Sequence, residues 1–129
     1  MNEILERANN DGIVFVELEF TDIFGTLKSI EIPVEHLANA LEKGVWFDGS
    51  SIRGFARLKE SDMYLKPEIG SYAVLPVDEK GQRTARFICD VYTPEGNLFE
   101  GDPRAVLKKI VAEARAMGYL FNVGPEVEF

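Results

Sequence analysis

The chain contains very few of the residues that build disulfide frameworks or histidine-based sites. Its 129 residues include one cysteine and one histidine, Cys89 and His36. A single cysteine excludes an internal disulfide, and the apolar neighbours of Cys89 indicate a buried core thiol rather than a reactive one. His36 lies at the start of a predicted helix without an evident catalytic partner, so we interpret it as structural.

Basic residues are also scarce relative to acidic ones. The chain has 14 Lys and Arg against 22 Asp and Glu, which gives a net charge of -8. This charge repels the phosphate backbone of nucleic acids and anionic bilayers, so neither is an expected partner. The first ten residues are polar and acidic without a long apolar run, which argues against a signal peptide or membrane span there. Together these absences predict a cytoplasmic protein.

Hydrophobic residues make up 46% of the chain, enough for one globular core. Helical spacing predicts a short helix over residues 1–9. Apolar and acidic residues then alternate over 13–20, which is typical of a half-buried strand. A turn over 21–25 leads to a second strand over 27–32, so the first two strands are predicted to form a hairpin.

A covering helix and a second hairpin complete the predicted small domain. The helix is expected between Pro33 and Gly44, with one apolar face formed by Leu37, Ala38 and Leu41. The second hairpin pairs residues 72–77 with residues 86–92 across a turn-rich segment. Strands, a helix and further strands predict an α+β roll.

The Pro, Gly and Asn residues of segment 93–97 are typical of a domain boundary or an exposed loop. Asp102 and Pro103 are favourable residues for a helix start, and Gly118 for its end. The helix between them has a wide apolar stripe that needs a partner, formed by Val106, Leu107, Ile110, Val111, Ala114 and Met117. A further strand is predicted over 119–123, followed by a turn.

Two segments contain residues suited to chemistry. In residues 46–55, Asp48 offers a carboxylate for a small cation, and Ser51 offers a hydroxyl beside flexible glycines. The same residues also fit a structural turn. Near the end of the chain, Glu126 and Glu128 share one face if they lie on a strand, and paired carboxylates suit Mg²⁺ or Mn²⁺. An E-x-E pattern is equally common on solvated strand faces.

Several motifs occur in a characteristic order along the whole chain. They are Phe20-Thr21-Asp22, Ile32-Pro33, Phe47-Asp48-Gly49-Ser50-Ser51-Ile52, Gly54-Phe55, Glu60-Ser61-Asp62-Met63, Arg86-Phe87-Ile88-Cys89-Asp90, Gly101-Asp102-Pro103-Arg104 and Gly124-Pro125-Glu126-Val127-Glu128-Phe129. Together they resemble the N-terminal region of type I glutamine synthetases. The resemblance implies a β-grasp (ubiquitin-like) domain over residues 1–97, and the truncated start of a catalytic domain over 98–129.

The resemblance also implies a reaction and an assembly. Members of this family join ammonia to glutamate with ATP through γ-glutamyl phosphate, in active sites formed between neighbouring subunits of a dodecamer of two hexameric rings. By this resemblance Asp48 binds ammonium and helps to remove its proton, and Ser51 lies beside that site. The resemblance further implies that Glu126 is a ligand of the metal ion on the nucleotide side and Glu128 a ligand of the metal ion nearer glutamate, with two or more Mg²⁺ or Mn²⁺ ions in each full site. Arg57 resembles an arginine used in feedback regulation.

The family's remaining metal ligands and its nucleotide pocket are expected beyond Phe129, so the 129-residue chain is predicted to be inactive alone. A second interpretation is a non-catalytic β-grasp module that docks on a full-length synthetase. A third is a folded domain without a present role.

Overall fold

A mixed β-sheet forms the centre of the protein. The computed structural model describes residues 1–52 and 62–128. In this part of the chain the strands are β1 (Phe15–Thr21), β2 (Leu27–Pro33), β3 (Val45–Asp48), β4 (Asp62–Pro67), β5 (Ala73–Val74) and β6 (Thr84–Tyr92). Their order across the sheet is β2-β1-β6-β4-β3, and the short β5 pairs with β6. The central strands β1 and β6 are parallel, and the other pairs are antiparallel.

Three α-helices accompany this sheet in the described ranges. They are α1 (Asn2–Asn10), α2 (Leu37–Lys43) and α3 (Pro103–Ala116). Ile4 and Ala8 of α1 and Leu37 and Leu41 of α2 join the inward residues of the strands in one hydrophobic core. Leu18 of β1 and Phe87 of β6 are fully buried neighbours in this core. No helix within residues 1–52 and 62–128 combines the length and apolar character that a membrane span requires.

The structure confirms both predicted hairpins and the helices predicted from local patterns. β1 pairs with β2, and β5 pairs with β6, as antiparallel partners. One detail of α2 was wrong: Ala40 is buried beside Leu37 and Leu41, whereas Ala38 is exposed. The buried thiol of Cys89 is confirmed, because Cys89 lies in the core and burial raises its pKa to about 12.

Strands β3 and β4 were missed by the sequence interpretation. Local patterns predict no strand at residues 46–48, but these residues belong to β3 and pair with β4. β4 alternates between exposed and buried positions, with Met63 and Leu65 in the core. Each strand is short and lies far from the other in the sequence, so neither has the local turn signal that marks a hairpin.

Gly44 allows the chain to pass directly from α2 into β3. Its φ of 77° favours glycine. A Cβ atom at Gly44 would lie 2.7 Å from Tyr64 Cδ2 and 2.8 Å from the Leu65 carbonyl oxygen. The close approach of this turn to β4 therefore requires glycine, and it sets the position of β3 at the edge of the sheet.

Polar contacts attach the first turns of α3 to the sheet. The Asp102 side chain is almost fully buried and accepts hydrogen bonds from the backbone N–H groups of Arg104 and Val91, at 3.0 and 3.3 Å. Burial raises the pKa of Asp102. Arg104 Nε also lies 2.8 Å from Asp90 Oδ1, and Lys108 Nζ lies 2.6 Å from Asp90 Oδ2. α3 is thus held at its N-terminus by charge and capping rather than by apolar packing.

Four of the six residues in the apolar stripe of α3 are exposed, and Val111 and Ala114 are partly buried. Val106, Leu107 and Ile110 are each about half exposed, and Met117 is 73% exposed. The strand predicted over 119–123 was wrong, because residues 119–128 form neither helix nor strand. A strand needs a paired backbone, and no described strand pairs with this segment.

Asp22 organises the turn between β1 and β2 and makes the stability of this turn dependent on pH. Its Oδ1 accepts hydrogen bonds from the N–H groups of Phe24 and Thr26, both at 2.9 Å. Burial opposes ionisation of Asp22, but these hydrogen bonds and nearby Lys28 outweigh it and lower its pKa.

A group with a lowered pKa in the folded state stabilises that state above its unfolded pKa, and the contribution is lost as the pH falls through the folded pKa. We therefore expect Asp22→Asn to reduce the free energy of unfolding at pH 7 more than at pH 2–3, because Asn keeps an acceptor oxygen but not the charge. Urea unfolding at both pH values measures the difference. The exposed Glu79→Gln is the control, and an equal loss for Asp22→Asn at both pH values would contradict the assignment.

Candidate active-site edge

Asp48 ends β3, an edge strand of the sheet, and its side chain is exposed. Alternation along β3 places Asp48 on the same face as Trp46. Phe47, between them, points to the opposite face, where its ring lies 5.1 Å from that of Phe20. A packed aromatic side chain therefore fixes the strand from the core side, and this directs the Asp48 carboxylate to solvent.

The turn after Asp48 fixes its carboxylate. Residues Gly49–Ser51 form a single 3₁₀ turn, and the Ser50 N–H donates to Asp48 Oδ1 at 2.9 Å. The Ser51 hydroxyl donates to the Asp48 carbonyl oxygen at 2.8 Å. Hydrogen bonds from Ser50, through its side chain and its backbone, lower the pKa of Asp48. The structural-turn and functional interpretations are therefore compatible: the turn presents an exposed carboxylate that is ionised at neutral pH.

A second carboxylate lies opposite Asp48. In the antiparallel register of β3 and β4, Asp48 pairs with Asp62, which is also exposed. Like charges directly opposite each other weaken a strand pair. Asp62 was not singled out from the sequence, although the alternating pattern of residues 62–67 was a signal for the strand that carries it.

Two further predicted site residues, Glu126 and Glu128, lie near the end of the described chain. Glu126 and Glu128 are exposed in the irregular segment after α3, so the alternation argument for a shared face does not apply to them. Within residues 1–52 and 62–128, no group of three or more His, Cys, Asp or Glu side chains is placed to hold a metal ion. Arg57 lies outside the described residues.

A cavity of about 420 Å³ lies elsewhere, between the sheet and the start of α3. Its lining includes Arg86 and Arg104, but neither Asp48 nor Ser51. Both arginines already form ion pairs, Arg86 with Glu19 at 3.5 Å and Arg104 with Asp90 at 2.8 Å. The exposed strand end that carries Asp48 is therefore the stronger candidate site.

The mixed sheet with a parallel central pair and a covering helix defines a β-grasp domain. The sequence profile of the glutamine synthetase β-grasp domain matches residues 12–94. The chain belongs to this glutamine synthetase family. It is 50% identical to the glutamine synthetase of Clostridium saccharobutylicum over 127 residues, which is 98% of this chain, and to that of Thermotoga maritima over 129 residues, which is all of it. It spans 29% of the length of each of these relatives.

Solved structures show the same fold. A GmaS chain in a complex with ADP matches with a TM-score of 0.80 at 26% identity, covering 91% of this chain and 26% of that one. The Plasmodium falciparum glutamine synthetase matches with a TM-score of 0.81 at 24% identity, covering 91% of this chain and 23% of that one. The predicted family and fold class are thus confirmed.

Proposed function

We propose that this chain supplies the N-terminal part of an ATP-dependent glutamate–ammonia ligase. In this proposal residues 1–97 form the β-grasp domain and residues 98–129 begin the catalytic domain. Asp48 enters an active site that is completed by a neighbouring subunit of a homo-oligomer. The observation that carries the proposal is the exposed Asp48 at the end of an edge strand, in a chain of this family.

The geometry of Asp48 suits the binding of ammonium. An ionised carboxylate attracts a small cation, and the attraction strengthens when a facing surface excludes water. Because hydrogen bonds from Ser50 lower the pKa of Asp48, this carboxylate is a weak base while it is exposed to water. Desolvation in a closed site raises the pKa of a carboxylate and makes it a better proton acceptor. Closure by the neighbouring subunit therefore allows Asp48 to assist removal of the proton from ammonium.

Ser51 has a positioning role in this proposal. Its hydroxyl donates a hydrogen bond to the Asp48 carbonyl oxygen at 2.8 Å, and this bond stabilises the turn that orients the Asp48 carboxylate. The hydroxyl is exposed with this turn, so it also borders the space where the cation binds.

The metal ions of the complete enzyme require ligands from outside the described residues. Glu126 and Glu128 have the oxygen donors that Mg²⁺ or Mn²⁺ prefers, and we propose that they are two of those ligands. The described part of the chain brings no third ligand to them. Bound metal ions would neutralise charge on the transferred phosphoryl group of ATP.

We expect the purified 129-residue chain to form no glutamine from glutamate, ammonia and ATP. We expect activity in a chimera in which this chain replaces the matching 129 residues of the Thermotoga maritima enzyme. Coupled assays of glutamine and ADP formation measure both. Glutamine formation by the chain alone would contradict its predicted inactivity, and an assembled but inactive chimera would contradict the proposed function.

The exposed apolar stripe of α3 also fits the second function, a non-catalytic module that docks on a full-length synthetase. Val106, Leu107 and Ile110 form a surface that a partner can cover. Co-purification of the tagged chain with a full-length synthetase ring, and not with a control protein of similar charge, would favour this alternative.

A further inference from the structure

An aromatic row crosses the same face and end of the sheet as Asp48. The rings of Trp46 and Tyr64 lie 5.1 Å apart, and Tyr64 stacks on Tyr92 with centroids 5.2 Å apart and an interplanar angle of 14°. These residues come from β3, β4 and β6, so the row spans three strands. We call these three residues the aromatic row.

Trp46 is the exposed member of this row. It is the only tryptophan of the chain and is 56% exposed, whereas Tyr64 beside it and Tyr92 on the next strand are half-buried. Tryptophan and tyrosine are enriched among the residues that contribute most to binding between proteins. A supported ring also loses little conformational entropy on binding, because its neighbours already restrict it.

The surroundings of the aromatic row indicate the charge of its partner. Asp48 and Asp62 lie at its border, and neither forms an ion pair with any residue in 1–52 or 62–128. An apolar centre with a charged rim is the usual anatomy of a protein interface. The facing surface must then place positive charge opposite the two carboxylates. In the proposed function the ammonium ion bound in the active site of a second copy provides a cation opposite Asp48.

Trp46 and Asp48 are two residues apart on one edge strand, which places their Cα atoms about 7 Å apart. A surface that receives Asp48 therefore also meets Trp46. We propose that Trp46, supported by Tyr64, anchors this domain on a second copy of the complete chain and sets the depth at which Asp48 enters that copy's active site. This inference rests on the proposed function.

The test uses the chimera with Trp46→Ala and the conservative variant Trp46→Phe. Trp46→Ala is expected to raise the concentration at which the assembly half-dissociates by on the order of tenfold, and to raise KM for ammonia more than it lowers kcat. The Trp46→Phe chimera is expected to keep most of the assembly strength and most of the ammonia affinity of the unsubstituted chimera. Phe24→Ala is the control, because Phe24 is 69% exposed and follows β1 near the opposite edge of the sheet.

Analytical ultracentrifugation and steady-state kinetics measure these effects. Hydroxyl-radical footprinting of the unsubstituted proteins provides a second measurement that needs no mutation. Trp46 should be oxidised in the 129-residue chain and protected in the assembled chimera. The inference is overturned if Trp46 is oxidised equally in the chain and in the assembled chimera. It is also overturned if the Trp46→Ala chimera assembles as tightly as the unsubstituted chimera and has the same KM for ammonia, or if Phe24→Ala weakens assembly as much as Trp46→Ala does. If Asp48→Asn leaves the activity of the chimera unchanged, the proposed function itself is contradicted, whatever the result for Trp46.

Discussion

We expect Asp48→Asn in the chimera to lower kcat/KM for ammonia by about 10²- to 10⁴-fold, the range that a positioned acid–base group contributes. Asparagine keeps an oxygen that can accept the hydrogen bond that the Ser50 N–H donates to Asp48 at 2.9 Å. The substitution therefore preserves the turn but removes both the negative charge and the ability to accept a proton. The loss should appear in ammonia-dependent kinetics, while KM for ATP changes little.

Glu42→Gln is the matched control for this experiment, because Glu42 is an exposed carboxylate on α2. It removes the same charge from α2, the helix that precedes β3 in the chain, and leaves the turn that carries Asp48 unchanged. The 129-residue chain with Asp48→Asn should also unfold at nearly the same urea concentration as the unsubstituted chain, because the Asp48 side chain is exposed and its replacement also relieves the repulsion by Asp62. A specific role for Asp48 would be excluded if Asp48→Asn left kcat/KM for ammonia unchanged, or if Glu42→Gln lowered kcat/KM for ammonia by the same factor.

The second large effect concerns the core that supports this site. Phe87 is fully buried, and its ring lies 5.4 Å from that of Tyr72. It pairs in register with Leu18 across the central parallel strands. Phe87→Ala removes these contacts and leaves a cavity, so we expect it to reduce the free energy of unfolding by about 3–5 kcal/mol. That is a large fraction of the total stability of a domain of this size.

Urea unfolding monitored by circular dichroism measures this loss. Phe24→Ala makes the same chemical change at a residue that is 69% exposed, and we expect it to alter stability by no more than about 0.5 kcal/mol. If Phe87→Ala cost no more than Phe24→Ala, the position assigned to Phe87 at the centre of the core would be wrong.

The candidate site was predicted in part. Asp48 and Ser51 were singled out from residue type and from the resemblance, and both lie in one exposed turn. Asp62 could not be singled out as a neighbour of Asp48, because the two residues lie opposite each other only through the pairing of β3 with β4. The roles of Glu126, Glu128 and Arg57 stay predictions. The first two lie in an irregular segment, and the third lies outside the described residues.

Local sequence patterns were sufficient to predict the first hairpin, the short helices and the start of α3. The alternation of β1, the glycine after α2 and the Asp102–Pro103 helix start each act within a few residues, so they can be read directly from the chain. The central pairing of β1 with β6, the edge position of β3 and the aromatic row could be read only from the folded chain. Strand hydrogen bonds join segments up to about 70 residues apart, and the free energy of such contacts depends on all the elements that pack around them.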